Sequence, residues 1–175
     1  MPAHRFAINL SPTSVCQARF PVEVSQLLAK YQIEAWQLIF EVTESNALTN
    51  VKQAQITLQH LQELGCQIAI DDFGTGHSAL IYLERYNFDY LKIDRGFVQA
   101  IGTETVTSPV LDAVLTLSRR LKLMTVAEGV ETQEQAEWLR GQGVHFLQGT
   151  WISRPLSLAG LVAAHDEPAN YFTTH

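Results

Sequence analysis

The chain has 175 residues, of which 46% are hydrophobic and 17% charged, enough for one globular domain with a substantial core. Its formal net charge is −6 and no cluster of lysine and arginine stands out, which argues against DNA or RNA held on a basic surface. A phosphate-bearing substrate is compatible with this charge if metal ions supply the positive charge.

Two distant cysteines, Cys16 and Cys66, form no C-x-x-C pair, which indicates small buried thiols in a reducing compartment and not a disulfide framework. No apolar run reaches membrane-spanning length, and the N-terminus lacks the apolar stretch of a signal peptide. We therefore expect a soluble, cytoplasmic domain. An upstream sensory or membrane domain in a longer parent protein is compatible with this expectation.

Six short apolar runs are separated by segments with helical periodicity. The runs are Phe6–Leu10, Leu38–Val42, Ile68–Ile70, Tyr90–Ile93, Met124–Ala127 and Phe146–Leu147. Most lack polar alternation, as is typical of parallel strands covered on both faces. Repeated strand–helix units predict an α/β fold with a parallel sheet, either doubly wound or closed as a barrel.

Three of the intervening segments carry clear helix signals. In the first, one face collects Val51, Ala54, Leu58, Leu61 and Leu64, and Gly65 is placed to end the helix. The second is predicted to begin at Ser108-Pro109 and to present Val110, Val114, Leu117 and Leu121. The third opens with a capping-box pattern at Thr132–Gln135 and ends at Gly141 or Gly143.

Polar side chains follow every apolar run. They are Asn9 and Ser11, Glu41 and Glu44, Asp71 and Asp72, Lys92 and Asp94, Glu128 and Glu131, and Gln148. An open sheet gathers its ligand groups near one switch point, whereas a barrel gathers them from the carboxyl ends of many strands. Six successive polar strand ends favour a TIM-barrel-like fold.

The six units average about 29 residues, whereas a (β/α)8 barrel needs eight units and typically about 250 residues. Two units are therefore absent. The first strand begins within about five residues of Met1, so we expect the absent pair to be N-terminal. Residues 1–165 are predicted to form a partial barrel domain, and residues 166–175 a polar C-terminal tail.

Asp71 and Asp72 are adjacent acids between a β-branched run and a glycine-rich loop. Their carboxylates repel each other, and a divalent cation such as Mg²⁺ would compensate most simply. An acidic turn is the alternative for this pair. Taken singly, the other strand-end residues also have ordinary explanations. Glu41 and Glu44 could be a solvated corner, Asn9 a turn former, Glu128 and Glu131 first-turn helix acids, and Lys92 a surface or Schiff-base lysine.

Taken together, six stretches resemble the EAL-domain family of cyclic di-GMP phosphodiesterases. They are INLS (8–11), FEVTES (40–45), IAIDDFGTGHSAL (68–80), YLKIDRGFV (90–98), VAEGVET (126–132) and the QG…SRPL pattern (148–156), in the order of the family. The resemblance implies a modified TIM barrel that hydrolyses cyclic di-GMP to linear pGpG at a two-metal site.

The resemblance also implies roles for individual residues. Asn9, Glu41 and Asp71 would bind one Mg²⁺ or Mn²⁺, and Asp71 would bridge to a second ion held by Asp72. Glu128 would be the general base, and Lys92 would position or acidify the water. Glu44 would anchor the loop after Asp72, and Gln148, Asp94 and Glu131 would lie around the metals or the substrate. The family further implies inhibition by Ca²⁺ and a homodimer formed through that loop.

One departure from the family is large. The Glu of the Glu-Ala-Leu tripeptide, a metal ligand on an early strand, has no counterpart in this chain. We therefore expect the chain to be weak or inactive alone. Two alternatives are a degenerate or truncated EAL module that binds cyclic di-GMP or a protein partner without catalysis, and an unrelated barrel lyase using Lys92.

Overall fold

The computed structural model describes residues 4–43, 51–73, 83, 86–102 and 109–166. Within these residues, six strands form one parallel sheet. The strands are β1 (Phe6–Asn9), β2 (Leu38–Thr43), β3 (Gln67–Phe73), β4 (Tyr90–Ile93), β5 (Met124–Ala127) and β6 (Phe146–Leu147). Their order in the sheet follows their order in the chain, with no reversal. Consecutive parallel strands are the pattern of a barrel wall and not of a doubly wound sheet, so the predicted fold class is confirmed.

Helices alternate with the strands. They are α1 (Pro12–Val15), α2 (Phe20–Tyr31), α3 (Val51–Glu63), α4 (Arg95–Gln99), α5 (Pro109–Leu121), α6 (Gln133–Gly141) and α7 (Leu158–Asp166), with a 3-10 turn at Ala35–Gln37. No helix among the described residues is both long and apolar enough to cross a membrane. Helix α7 ends at the first residue of the predicted tail, and the remaining tail residues lie outside the described ranges.

Two of the predicted helix boundaries are confirmed in detail. The capping box of α6 is present, because the Thr132 side chain accepts from the Gln135 N–H and the Gln135 side chain accepts from the Thr132 N–H. Helix α3 is followed by Gly65 with φ of 97°, the left-handed conformation that ends helices. Ala54, Leu58 and Leu61 are buried on α3 as its periodicity predicts.

The buried face of α5 differs from the prediction. Val110 and Leu121 are 47% and 42% exposed, and the buried residues are Leu111, Val114, Leu115 and Ser118. The buried face has the i, i+3, i+4, i+7 spacing, but its last position is a serine, so the apolar pattern in the sequence is incomplete. Ser118 is accommodated in the core because its hydroxyl donates to the Leu115 carbonyl oxygen.

Strand alternation separates the hydrophobic core from the inner face of the curled sheet. In β2, Phe40 and Val42 belong to the core cluster, whereas Glu41 between them faces the other side. Strand β4 is buried along its whole length, while β1 is exposed along its whole length. The centre of the sheet is therefore enclosed, and the first strand is an open edge.

Cys66 gives a test of this packing. The thiol is 4% exposed, and its burial raises the pKa from 9.0 to about 11. As pH rises from 9 towards 11, the unfolded thiol ionises first, so the stability that Cys66 contributes is lost over that window. We expect the stability advantage of wild type over Cys66→Ala, measured by urea unfolding, to shrink by about 2 kcal/mol between pH 8 and 10.5. An unchanged difference would contradict the buried placement of the thiol, and Cys16→Ala is the matched comparison.

Candidate functional site

Both carboxylates of the Asp71-Asp72 pair reach the inner face of the sheet because β3 contains a bulge. Ile70 pairs with Leu91 and Phe73 pairs with Ile93, so the two aspartates lie opposite the single residue Lys92. In a regular strand two successive side chains point to opposite faces, and an extra residue re-aims one of them. The aspartates therefore belong to β3, whereas the sequence predicted that they follow the strand.

The bulge places Asp72 in an unusual backbone conformation. Its φ is 56°, in the left-handed region that Asp tolerates better than most residues. The Asp72 N–H donates to Oδ1 of Asp71 at 2.9 Å, which stabilises the turn between the two side chains. As a result, the carboxylates of these two adjacent residues lie on the same face of the sheet.

Lys92 is the electrostatic centre of the site. Its Nζ lies 2.9 Å from Oε2 of Glu41, 3.1 Å from Oδ2 of Asp71 and 2.6 Å from Oε1 of Glu128. The residue is only 4% exposed. An ammonium has three N–H donors, and here three carboxylates from β2, β3 and the end of β5 surround them. Burial disfavours the charged ammonium, but the hydrogen bonds to Glu128 and Glu41 outweigh it and raise the Lys92 pKa above its ordinary value.

This environment is the opposite of what an imine-forming lysine requires. A Schiff-base lysine must lose its proton, and enzymes lower its pKa by apolar burial or a neighbouring cation. Three carboxylates hold Lys92 in the protonated form. The geometry therefore argues against the barrel-lyase alternative.

Asp71, Asp72 and Glu128 could together hold a metal ion. Each offers a carboxylate oxygen, and the three oxygens lie within 4.8 Å of one another. Desolvation raises the pKa of Asp72, with further contributions from the negative charges of Asp71 and Asp94. Desolvation also raises the pKa of Glu128, although its hydrogen bond to Lys92 opposes the shift. A divalent cation would offset this concentration of negative charge.

The other predicted site residues lie around this centre at different distances. Asn9 is exposed at the end of β1 and is the register partner of Glu41. Asp94 caps α4 by accepting from the Gly96 N–H, and its charge acts on Asp72. Glu131 is exposed and accepts from Gln99, next to the start of α6. Gln148 is exposed at the end of β6, and Glu44 lies outside the described residues.

A cavity of about 500 Å³ runs along the inner face of the sheet below the carboxylates. Its lining includes residues of the site, namely Glu41, Lys92 and Gln148, and aromatic residues, namely Trp36, Tyr90 and Phe146. Tyr90 was not among the predicted site residues, and its hydroxyl accepts from Arg5 at 2.8 Å and donates to Gln67 at 3.2 Å. Tyr90 precedes Lys92 by two residues, so the period of a strand could have placed it on the same face.

Comparison with known proteins gives close relatives. The family profile described as "EAL domain" matches residues 1–155. Over 158 residues the chain is 64% identical to the cyclic di-GMP phosphodiesterase PdeF of Escherichia coli and 55% identical to the probable cyclic di-GMP phosphodiesterase PdeN of the same organism. Each match covers 90% of this chain, but only 21% of PdeF and 30% of PdeN. The chain thus spans less than a third of the length of these curated relatives.

Solved structures with the same fold include several that share more than 30% sequence identity with this chain, two of which illustrate the match. The PaMucR phosphodiesterase in complex with c-di-GMP has 39% identity and a TM-score of 0.82, with 90% of this chain and 64% of that chain covered. The EAL domain of Mycobacterium smegmatis DcpA has 34% identity and a TM-score of 0.85, with 91% and 71% covered. These matches confirm the TIM-barrel-like fold, and they leave more than a quarter of each solved chain unmatched.

Removing the shared ammonium tests the centre of the site. We expect Lys92→Met to lower the free energy of unfolding by about 3–5 kcal/mol, because three carboxylates would lose their buried counterion. Lys52→Met, at an exposed position of α3, is the control and should stay close to wild type. Equal stability of the two variants in urea unfolding would contradict the clustering.

The bulge predicts an inverted order of stability at Asp72. Because φ is positive there, Asp72→Gly should be more stable than Asp72→Ala by about 1 kcal/mol. At Asp112, an exposed position within α5, the order should be the ordinary one, with alanine more stable by about 1 kcal/mol. Thermal and urea unfolding of the four variants checks this, and the same order at both positions would exclude the bulge.

Proposed function

This chain belongs to the EAL domain family, and on that premise we propose that its acidic site serves the metal-dependent hydrolysis of cyclic di-GMP to linear pGpG. One observation carries the proposal. The carboxylates of Asp71, Asp72 and Glu128 converge within 4.8 Å at the carboxyl ends of parallel strands, beside a buried lysine. Active sites of TIM-barrel enzymes lie at this end of the barrel.

The donor atoms fit hard divalent cations. Mg²⁺ and Mn²⁺ prefer carboxylate, amide and water oxygens, and the site offers no cysteine or histidine among its described residues. Asn9, Glu41, Asp71 and Asp72 would hold two such ions, with Asp71 shared between them. When bound, the ions would polarise the scissile phosphate and activate water.

The chain's own residues then have separate tasks. Glu128 receives the proton of the attacking water as its oxygen bonds to phosphorus and the ribose 3′ oxygen leaves. Its Oε1 contacts Lys92, so the task falls to Oε2, which is not part of that contact. Lys92 holds Glu41, Asp71 and Glu128 in one arrangement. Through its contact with Glu128, the Lys92 ammonium would also position or acidify the attacking water.

The surroundings of the site extend the proposal. Gln148, Asp94 and Glu131 would contact the dinucleotide or its waters, and Glu44 would anchor the loop after Asp72. That loop would carry a homodimer contact, but residues 74–80 lie outside the described ranges. We also propose inhibition by Ca²⁺, which the family implies, and a cytoplasmic location for the reaction, since two isolated cysteines are typical of a reducing compartment.

Two further β/α units would complete the barrel. Six units are three quarters of an eight-unit barrel. This fraction is close to the 71% of the solved DcpA EAL domain that this chain covers. The edge strand β1 exposes Phe6 and Ile8 at 48% and 41%, and the opposite edge strand, β6, exposes Phe146 at 42%. Apolar groups at both ends of the sheet are what closing units would cover.

Turnover of cyclic di-GMP with Mg²⁺ or Mn²⁺, followed by chromatography of pGpG, tests the function. We expect slow hydrolysis by this chain alone and a marked gain when the N-terminal part of the PdeF EAL domain is added. Glu128→Gln should lower the rate about 10²–10⁴-fold, because it removes the proton acceptor. Asp112→Asn, at an exposed position away from the site, should leave the rate unchanged.

Two results would contradict the proposal. Hydrolysis that continues after chelation of the metals would contradict the metal-binding role of the carboxylate cluster. Full activity of Glu128→Gln would contradict its role as the proton acceptor. Binding of cyclic di-GMP without cleavage, under every metal condition and with the PdeF segment present, would support the non-catalytic binding module instead.

A further inference from the structure

The segment that carries Glu128 is held by its neighbours on both sides. The Glu128 N–H donates to the Ile93 carbonyl oxygen at the end of β4. Two residues later, the Val130 N–H donates to the Gln148 carbonyl oxygen and the Val130 oxygen accepts from the Trp151 N–H, both at 3.0 Å. Val130 is completely buried. The backbone after β5 is therefore fixed between the ends of β4 and β6.

Two glycines make this close approach feasible. Gly129 has φ of 68°, and a Cβ there would lie 2.6 Å from the Cβ of Arg95. A Cβ at Gly149 would overlap the backbone nitrogen and carbonyl group of Val130. Real Cβ atoms do not come so near to backbone atoms, so the backbone of Val130 occupies the space that any larger residue at 149 would need. By contrast, a Cβ at Gly141 would meet nothing within 4 Å.

We propose that Gly149 is a positioning residue for the Glu128 carboxylate, acting through the backbone of Val130. Peptide units are rigid, and each residue has only two soft backbone dihedrals. A shift of the Val130 backbone is therefore transmitted to Glu128, two residues earlier, with little chance of being absorbed. The contact between Glu128 and Lys92 is 2.6 Å, which leaves little room for displacement. Catalytic groups misplaced by about 1 Å can cost 10²-fold in rate. The inference rests on the proposed function only for this catalytic consequence, because the contact itself exists without metal or substrate.

Lysine side-chain NMR of the full chain tests the proposal without turnover. The sequence has four lysines, so the protected Lys92 ammonium signal can be assigned by its loss in Lys92→Met. We expect Gly149→Ala to shift this signal in the same way as Glu128→Gln, and Gly141→Ala to leave it unchanged. In the double variant, Gly149→Ala should add nothing to the shift caused by Glu128→Gln, since both act through one carboxylate.

Binding of Mn²⁺, followed by its paramagnetic resonance, gives a second readout with the same variants. Glu128 lies in the same acidic cluster as Asp71 and Asp72, so its negative charge favours a cation held there. We expect Gly149→Ala, which displaces that charge, to weaken binding about tenfold in wild type and not at all in the Glu128→Gln background. A wild-type chain that binds no Mn²⁺ would count against the proposed function, while the lysine signal would still decide the positioning role. A lower melting temperature with an unchanged Lys92 signal would overturn the proposal, because Gly149 would then serve packing alone. Additive shifts in the double variant would overturn it as well.

A second pair of variants covers the case in which Gly149→Ala does not fold. Asparagine tolerates a positive φ, so Gly129→Asn chiefly introduces the contact with the Arg95 Cβ. Adding Arg95→Gly removes that Cβ. We expect the Lys92 signal to shift in Gly129→Asn and to return in the double variant. The same signal in both variants would show that the backbone clamp does not set the position of Glu128.

Discussion

Burying several carboxylates at one end of a sheet is opposed by their mutual repulsion and by the loss of water, and here one ammonium relieves both. Lys92 lies on β4, the strand that is enclosed on both faces, and its Nζ contacts acids from β2, β3 and the end of β5. Those contacts require neighbouring strands in parallel register, because only then do the carboxyl ends meet at one edge. The sheet order and the charge cluster therefore depend on each other.

The ammonium does not balance the whole cluster. Glu41, Asp71, Asp72 and Glu128 bring four negative charges to one lysine. Desolvation and, after it, the neighbouring acids raise the pKa of Asp72 and of Glu128, so burial and mutual repulsion both disfavour the ionised carboxylates. Such an excess is a disadvantage for folding alone and an advantage for holding divalent cations. The arrangement is thus explained better by metal binding than by stability.

The sequence predicted the six strands and the polar residues at their carboxyl ends because both follow local rules, namely apolar runs and the polar positions that come after them. It could not predict the bulge in β3, since the bulge is defined by the pairing of Ile70 and Phe73 with residues of β4. The triple contact of Lys92 likewise depends on three long-range pairings. The buried face of α5 was not predicted because Ser118 is a polar residue, which a search for apolar periodicity passes over. It is nevertheless buried, with its hydroxyl bonded to the backbone. The roles proposed for Glu128 and Lys92 came from the family resemblance and remain predictions, to which the structure adds the three ion pairs of Lys92.

The two ends of the sheet differ from its centre in a way that bears on function. The lysine cluster involves β2 to β5 and is complete within this chain, whereas Asn9 and Gln148 lie exposed at the ends of the edge strands β1 and β6. Any unit that closes the barrel would pair with these edges and enclose both residues. The central charges therefore form without such units, while the metal and substrate contacts proposed for Asn9 and Gln148 would depend on them. Weak activity of the isolated chain would then reflect an incomplete edge of the site around an intact centre.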